Sequence, residues 1–308
     1  MTRLRVGVIG VGVMGSNHAR TLASLPGAIL AGVMDADTER AQALADSLGC
    51  PVLSDIDTVK GGCDAVIVAA ATSAHASIGQ HLLGMGLPCL IEKPLAANDA
   101  DCAALMACAQ KAGVPLAVGH IERFNPAFRL ARQRLAGCSI VSLDARRLNP
   151  GSNRITDTDV IADLMLHDLD AALLLLGGPF GTVLGQGLCA GSNGLTDQAT
   201  VLTRLGGVPA SFSASRLWPT RVRTTSVLLA DGTVFDIDFL TRTLTETRPD
   251  GSQTKLPPDV DAPTPLVLEQ TAFLDWVRTG DSGDNVTAQM ARATLALVAA
   301  AQYAVRKV

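Results

Sequence analysis

The sequence predicts an α/β fold, in which a doubly wound parallel sheet at the N-terminus is followed by a C-terminal α+β domain with a mostly antiparallel open sheet. The 308 residues are enough for two domains of roughly 150 residues each. Apolar residues make up 48% of the chain, so a large core can form. The pattern of apolar runs changes near residue 120, which predicts a first domain at 1–120 and a second at 121–308.

In the first domain, short apolar runs alternate with helix-like segments. A strand–helix–strand order makes successive strands parallel and covers both faces of the sheet with helices. The predicted strands cover residues 4–9, 28–35, 65–70, 88–92 and 115–119, and the predicted helices cover 16–25, 38–48, 75–85 and 98–112.

In the second domain, strand-like runs dominate, and the turn-like segments LGGVP and ADGT separate two pairs of them. Such spacing is typical of antiparallel hairpins. Residues 248–265 are rich in Pro and Asp, which predicts a surface loop. The predicted strands are 139–146, 181–190, 198–205, 209–218, 221–229 and 233–238, and the predicted helices are 125–135, 160–176, 265–279 and 287–305.

A glycine motif directly follows the first predicted strand and opens the first helix. It has the form G-x-G-x-x-G and consists of Gly10, Val11, Gly12, Val13, Met14 and Gly15. Glycines in this context allow a tight turn and let a pyrophosphate approach the N–H groups at a helix N-terminus. The motif therefore predicts a Rossmann dinucleotide site. A glycine-rich packing turn is the alternative, and methyltransferases also have a similar turn.

Asp35 ends the second predicted strand, twenty residues after Gly15. A carboxylate at this place accepts hydrogen bonds from the adenosine ribose of the cofactor and repels a 2′-phosphate. We therefore expect NAD as the cofactor. NADP remains the alternative because Arg40 lies nearby in the sequence.

Two further segments carry groups suited to alcohol oxidation. Lys93 follows the fourth predicted strand, and the carboxyl ends of parallel strands line the ligand crevice. Asp163 and His167 are four residues apart in a predicted helix, which places them on one face. A neutral imidazole can accept a hydroxyl proton, and an ammonium group can stabilise the developing alkoxide. The alternatives are a lysine in a surface turn and a core histidine bonded to Asp163.

The chain resembles the Gfo/Idh/MocA family of sugar and polyol dehydrogenases. The resemblance is carried by VGVIGVGVMG, MDAD, EKPLA, the pattern D-x-x-x-H-D-L-D and the C-terminal PLVLEQTAFLDWVRTG. It implies that Lys93 is the catalytic lysine, that His167 transfers a proton and that Asp163 orients it or binds substrate. It also implies a cis bond between Lys93 and Pro94. Further cofactor contacts are expected from Ala71, Thr72, His75 and Glu92.

A finer resemblance links the chain to the UDP-N-acetylglucosamine 3-dehydrogenases of this family. The matching segments are GHIERFNPAF, DARRLNPGSNRITDTDVIADLMLHDLD and WPTRVRTTSV. It implies oxidation of a nucleotide sugar at C3, with Arg123, Asn125 and Arg154 as substrate-binding residues. Ordinary surface arginines are the alternative. The relatives often have Thr where this chain has Trp218, so a free polyol or monosaccharide such as inositol remains a second candidate substrate.

Composition limits the remaining function classes. A net charge of −4 without a Lys/Arg run argues against nucleic acid. The apolar stretches are too short to span a membrane, and the opening strand leaves no room for a signal peptide, so we expect a cytoplasmic protein. We expect no metal. The resemblance implies a homodimer or homotetramer formed through the C-terminal sheet. A catalytically silent sensor of NAD or sugar is the third functional hypothesis.

Overall fold

The computed structural model describes residues 2–150, 158–191, 194–256 and 262–306. The chain forms two compact units. The first contains the chain up to Ile121 together with Pro263–Ala293, and the second contains Glu122–Ala262 and the chain from Thr294 onward. No helix in the described ranges combines the length and the apolar character that crossing a membrane requires.

The first unit contains a five-stranded, fully parallel sheet with the strand order β2-β1-β3-β4-β5. Because β2 and β3 lie on opposite sides of β1, the strand order reverses there. At such a reversal a crevice opens at the carboxyl ends of the adjacent strands β1 and β3. The elements are β1 (Leu4–Ile9), α1 (Val13–Ser24), β2 (Ala28–Met34), α2 (Thr38–Leu48), α3 (Val59–Gly62), β3 (Ala65–Val68), α4 (Thr72–Gly84), β4 (Cys89–Glu92), α5 (Asp99–Ala112) and β5 (Leu116–Gly119).

The three short strands β3, β4 and β5 are buried along their whole length. This burial explains their continuous apolar sequences, since helices cover both faces of a parallel sheet. Polar side chains fix the starts of two helices: Asp37 accepts from the backbone N–H of Arg40, and Asn98 accepts from that of Asp101. Such N-caps satisfy amide groups that have no partner within the helix.

The second unit contains an eight-stranded sheet with the order β13-β12-β11-β10-β6-β9-β8-β7. Its pairs are antiparallel except for β6 and β9. The remaining elements are α6 (Pro126–Leu135), β6 (Ile140–Leu148), α7 (Leu166–Leu176), β7 (Leu184–Leu188), β8 (Gln198–Leu205), β9 (Val208–Ser215), β10 (Val222–Leu229), β11 (Val234–Asp238), β12 (Thr243–Thr247), β13 (Gln253–Leu256), α8 (Pro265–Thr279) and α9 (Ala288–Arg306).

Side chains alternate between the two faces of this sheet. Along β8, Ala199, Val201 and Leu205 are buried in the core, whereas Leu202 is exposed. The core is shared with α6, α7 and the C-terminal part of α9. One face of the sheet is therefore covered by helices, as the period-two pattern of strands requires.

Three predictions need correction. The predicted loop at 248–265 contains β13, and β12 precedes it; both strands are short and rich in Thr, Gln and Lys, so they lack the apolar signal of a core strand. The predicted helix at 160–176 begins with a π-helical turn at Ile161–Met165. The predicted second domain at 121–308 is not one compact unit, because Phe273 and Leu274 of α8 pack into the core of the first unit.

Candidate dinucleotide and active site

The three glycines of the turn after β1 differ in the space around their Cα atoms. A Cβ atom at Gly10 would lie 2.4 Å from the backbone N of Ala70, and one at Gly15 would lie 1.7 Å from the carbonyl oxygen of Gly10. A Cβ at Gly12 would meet no atom within 4 Å. Gly10 and Gly15 thus let the turn pack against β3 and α1, while Gly12 faces open space at the start of α1.

Asp35 lies next to this turn, at the end of β2. Its Oδ2 accepts a hydrogen bond from the backbone N–H of Val11 at 2.6 Å, and its Oδ1 accepts one from Asp37 at 2.9 Å. Nη1 of Arg40 lies 3.6 Å from Oδ1, and Nη2 of the same guanidinium is bound to Asp37 at 2.9 Å. Two carboxylates therefore neutralise Arg40, which favours a neutral ribose over a 2′-phosphate at this place.

A cleft of about 910 Å³ opens between the turn and the ends of β2 and β3. Gly10, Gly12, Asp35 and Ala71, four of the predicted cofactor residues, line this cleft together with Arg40. Val13 is more than half exposed and borders a neighbouring depression that also includes Gly12. The depth of the cleft, its apolar walls and the free N-terminus of α1 fit a dinucleotide.

His75 of α4 connects the segments that follow β3 and β4. Its Nδ1 lies 3.0 Å from the carbonyl oxygen of Pro94, and its Nε2 lies 3.0 Å from that of Ala70. The side chain is buried, so the ring does not face the cleft directly. His75 instead ties the segment that carries Lys93 to the wall of the cleft.

Glu92 ends β4 and is also buried. Its Oε1 accepts from Nε2 of His18 at 2.8 Å, and its Oε2 accepts from the backbone N–H of Lys93 at 3.1 Å. Burial opposes ionisation, but the hydrogen bond from His18, the charge of Lys93 and the hydrogen bond from the Lys93 backbone together hold the pKa of Glu92 below its usual value. Lys93 is half-buried, and its bond to Pro94 is cis, as predicted.

In the second unit, Asp163 lies in the π-helical turn and His167 in the first turn of α7. Both side chains are half-buried, whereas the apolar residues around them are buried. A π-turn changes the angular spacing of side chains and occurs frequently at functional sites. The residue following His167, Asp168, is fully enclosed and anchors α7 through Arg147.

The predicted substrate residue Arg123 is buried, with 7% of its surface exposed. Its Nε and Nη2 donate to the two carboxylate oxygens of Asp170, each at 2.7 Å. Asn125 caps α6 by accepting from Ala127 and donates to the carbonyl oxygen of Phe239. Both therefore have structural contacts, and the alternative of ordinary surface arginines is wrong for Arg123. Arg154 lies outside the described residues.

A second buried pair lies beside the first. Arg147 donates to Asp168 at 2.9 Å and to Glu122 at 2.9 Å. Burial lowers the pKa of Arg147, but the two carboxylates raise it further, so the guanidinium stays charged. Burial also raises the pKa of Asp168 despite Arg147. Arg223, which pairs with Arg147 across β10 and β6, has a lowered pKa through burial and the charge of Arg147.

Sequence reasoning missed the polar cluster behind Glu92. It consists of His18 from α1 and of Glu269 and Gln270 from α8, all buried. The only available signal was the presence of polar side chains at apolar-face positions of two amphipathic helices, together with the quoted C-terminal motif. Polar groups at such positions need partners from other elements, and the sequence alone does not name them.

The fold and this site define an oxidoreductase of the dinucleotide-binding class. The family described as "Oxidoreductase family, NAD-binding Rossmann fold" matches residues 4–120, and the GFO/IDH/MocA C-terminal domain matches residues 138–235. The chain belongs to the Gfo/Idh/MocA family, and NAD is its cofactor.

Two named relatives indicate the range of activities in the family. A UDP-N-acetylglucosamine 3-dehydrogenase of Acidithiobacillus ferrooxidans is 38% identical over 245 residues, which cover 79% of this chain and 77% of the relative. A crystal structure of that enzyme aligns with 100% of this chain and 99% of its own, with a TM-score of 0.93 and 33% identity. The myo-inositol dehydrogenase Hyg17 of Streptomyces leeuwenhoekii is 34% identical over 63% of this chain and 62% of its own.

Proposed function

We propose that the protein oxidises a secondary hydroxyl of a nucleotide-linked N-acetylhexosamine, such as UDP-N-acetylglucosamine at C3, with NAD as the hydride acceptor. The observation that carries the proposal is the extent of the similarity. The sequence of the UDP-sugar dehydrogenase is 38% identical over 79% of this chain, whereas that of the inositol dehydrogenase Hyg17 is 34% identical over 63% of it.

The cofactor is held in this proposal by residues of the first unit. The turn after β1 and the N-terminus of α1 bind the pyrophosphate, and Asp35 accepts from the adenosine ribose. Ala71 and Thr72, at the start of α4, border the nicotinamide. His75 and Glu92 contribute indirectly in this proposal. Both are buried, and they hold the backbone of the Lys93 segment rather than contacting the cofactor. The backbone contacts of the turn come from Gly10, Gly12, Val13, Met14 and Gly15.

Oxidation of an alcohol removes a hydride from carbon and a proton from oxygen, and NAD supplies the hydride acceptor when bound. His167 is proposed as the general base that takes the hydroxyl proton, since a neutral imidazole works near pH 7. The ammonium group of Lys93 stabilises the negative charge that develops on the oxygen. Asp163, one turn before His167, orients the imidazole.

Substrate contact by Arg123, Asn125 and Arg154 stays a prediction. The bidentate ion pair between Arg123 and Asp170 supports a structural role for that arginine, because its donors already have a buried acceptor. Arg146 is more accessible, and its guanidinium lies 5.9 Å from the ring centroid of Trp218. Arg146 and Trp218 both lie in segments that carry the resemblance to the UDP-N-acetylglucosamine 3-dehydrogenases.

A free polyol is the second candidate substrate, favoured by the similarity to inositol dehydrogenases. Such a substrate has no diphosphate, so it needs no arginine clamp. The two candidates therefore differ in whether removal of exposed arginines changes the KM of the sugar substrate.

We also propose a homo-oligomer formed through the sheet of the second unit and a cytoplasmic location. Val141, Leu184 and Leu202 are exposed apolar residues on that sheet, which supports an interface. All seven cysteines are free, which supports a reducing compartment. Light scattering at several protein concentrations tests the assembly, and a monomer throughout would contradict it.

The test is reduction of NAD and of NADP by the purified protein with UDP-N-acetylglucosamine, its uronic acid form, free N-acetylglucosamine and myo-inositol. A carbonyl trap is included because an unfavourable equilibrium hides product formation. Reduction of NAD with the UDP-sugars alone is the expected result. Reduction with inositol alone would replace the substrate assignment, and NAD binding without reduction by any substrate would favour the sensor hypothesis.

A further inference from the structure

A buried polar cluster lies beneath the strand end that carries Lys93, entirely within the first unit. His18 comes from α1, Glu92 from β4, and Glu269 and Gln270 from α8. One ligand-type atom from each of His18, Glu92 and Glu269 lies within 4.8 Å of the other two. The cluster joins three elements to the Lys93 segment, and of its four members the proposed function uses only Glu92.

Hydrogen bonds determine the tautomer of His18. Nε2 of Gln270 lies 3.1 Å from the carbonyl oxygen of His18 and 3.0 Å from its Nδ1. The contact with the carbonyl identifies this Gln270 atom as the amide nitrogen, so Nδ1 accepts a proton from it. The ring proton is therefore on Nε2, which donates to Glu92 at 2.8 Å. The chain of donors runs from Gln270 through His18 to Glu92.

Glu269 has no comparable donor. Its side chain is 1% exposed, and neither carboxylate oxygen has a hydrogen-bond partner among the described residues. A carboxylate oxygen of Glu92 lies within 4.8 Å of it, and Glu92 already accepts from His18 and from the backbone of Lys93. Two buried anions at this separation would repel each other strongly without a counter-charge.

A metal ion would supply that counter-charge, but the cluster does not have the arrangement of a metal site. Metal binding through Nε2 of His18 requires a proton on Nδ1 and an acceptor for it. The neighbour of Nδ1 is the amide nitrogen of Gln270, which is a donor. The distance of 2.8 Å between His18 and Glu92 is that of a direct hydrogen bond. A proton on Glu269 is the remaining way to neutralise it.

We propose that Glu269 is a positioning residue that acts as an uncharged carboxylic acid, so that Glu92 is the single anion of the cluster and holds the backbone of Lys93 in its working position. The inference rests on the proposed function only for the role of Lys93. The groups that face Glu269 are Glu92 from β4 and His18 from α1, with Gln270 next to it on α8. Burial and then the charge of Glu92 raise the pKa of Glu269 well above its usual value.

Ionisation of Glu269 then limits the enzyme at alkaline pH. Loss of its proton creates a second anion against Glu92 and pushes the two carboxylates apart, which displaces the end of β4 and Lys93. The effect falls on kcat, because the glycine turn and Asp35 belong to other segments of the cofactor site. A purely structural role for Glu269 predicts no such pH dependence.

The experiment compares the wild type with Glu269→Gln and with Asp275→Asn, a control that removes an exposed carboxylate on the same helix. Glutamine has the shape of a protonated glutamic acid and does not titrate. We expect Glu269→Gln to retain kcat at pH 7 within about two-fold and to move the alkaline limit of kcat upward by about one pH unit or more. Asp275→Asn should have the wild-type profile.

A second measurement does not depend on turnover. Infrared difference spectra of wild type minus Glu269→Gln at pH 7 should contain a carboxylic-acid C=O band. If the wild type is inactive with every substrate but the band is present, the proposed function fails and the protonated Glu269 stands. Absence of the band, an unchanged alkaline limit in the active variant, or a bound metal in the wild type that is lost in Glu269→Gln would each overturn the inference.

Discussion

The backbone N–H of Val11 donates to Oδ2 of Asp35 across 2.6 Å, so the carboxylate at the end of β2 is bound to the glycine turn at the end of β1. This bond fixes the position of the negative charge in the cleft. A ligand that approaches the turn therefore meets a carboxylate whose place is set by the backbone, and a 2′-phosphate there would be repelled.

Replacement of Asp35 by Ser should relax the preference for NAD. We expect the ratio of kcat/KM for NADP to that for NAD to rise by about 10- to 100-fold, because the like-charge repulsion is removed and Arg40 loses one of its two carboxylates. Steady-state kinetics with both cofactors provide the measurement. Asp46→Asn, which removes an exposed carboxylate from α2, is the control, and an equal change in both variants would contradict the role of Asp35.

Replacing the three motif glycines by alanine should affect different properties, namely stability at two positions and NAD binding at the third. Gly10→Ala and Gly15→Ala should lower the free energy of unfolding by about 2–4 kcal/mol, because each new Cβ overlaps backbone atoms. Gly12→Ala should fold normally but bind NAD more weakly. Thermal denaturation and NAD titration separate the two effects. Gly61→Ala, where a Cβ meets no atom within 4 Å, is the matched control, and normal stability of Gly15→Ala would contradict this account.

Lys93→Met and His167→Asn should each lower kcat by about 10²- to 10⁴-fold with little change in the Kd for NAD. The two side chains are proposed to handle the proton and the developing charge, and neither belongs to the glycine turn. Single-turnover kinetics and cofactor titration are the measurements. Lys111→Met removes an exposed lysine from α5 and should have wild-type activity. Unchanged turnover in both site variants would refute the mechanism.

The sequence predicted most of the fold because the elements carry strong periodic signals. The strand at Leu4–Ile9 and the helices at Thr38–Leu48 and Pro265–Thr279 lie where the pattern placed them. β13 was missed because a short polar strand at a sheet edge buries little. The packing of α8 in the first unit was missed because an amphipathic helix carries no signal for which core its apolar face joins.

The site was predictable only where a local motif carries the chemistry. The glycine turn and Asp35 are set by local geometry and a fixed spacing, and both line the cleft. The buried partners of Glu92 and Arg123 come from elements distant in the sequence, namely His18 and Asp170. No sequence spacing defines such pairs, because they depend on the tertiary packing.

The stability of the protein should depend on pH through Glu269. Its raised folded-state pKa means that the native state retains a proton which the unfolded chain releases above about pH 4.5. The wild type should therefore lose stability relative to Glu269→Gln as pH rises from 4.5 toward the folded-state pKa, by at most about 1.4 kcal/mol per pH unit. Urea denaturation at several pH values measures the difference. A difference that does not change with pH would mean that Glu269 is ionised in both states.

The ion pair between Arg123 and Asp170 separates a structural role of this arginine from a substrate-binding role. Arg123→Met leaves a carboxylate that is 2% exposed, with Thr294 as a remaining donor at 2.9 Å. We expect a loss of about 3–5 kcal/mol in the free energy of unfolding, because a buried carboxylate that loses its guanidinium partner is costly. Arg123→Met combined with Asp170→Asn should recover part of that loss, since the second substitution removes the stranded charge. Arg134→Met, an exposed arginine on α6, should have no such effect. A large rise in the KM for the sugar substrate, with stability unchanged, would instead assign Arg123 to substrate binding.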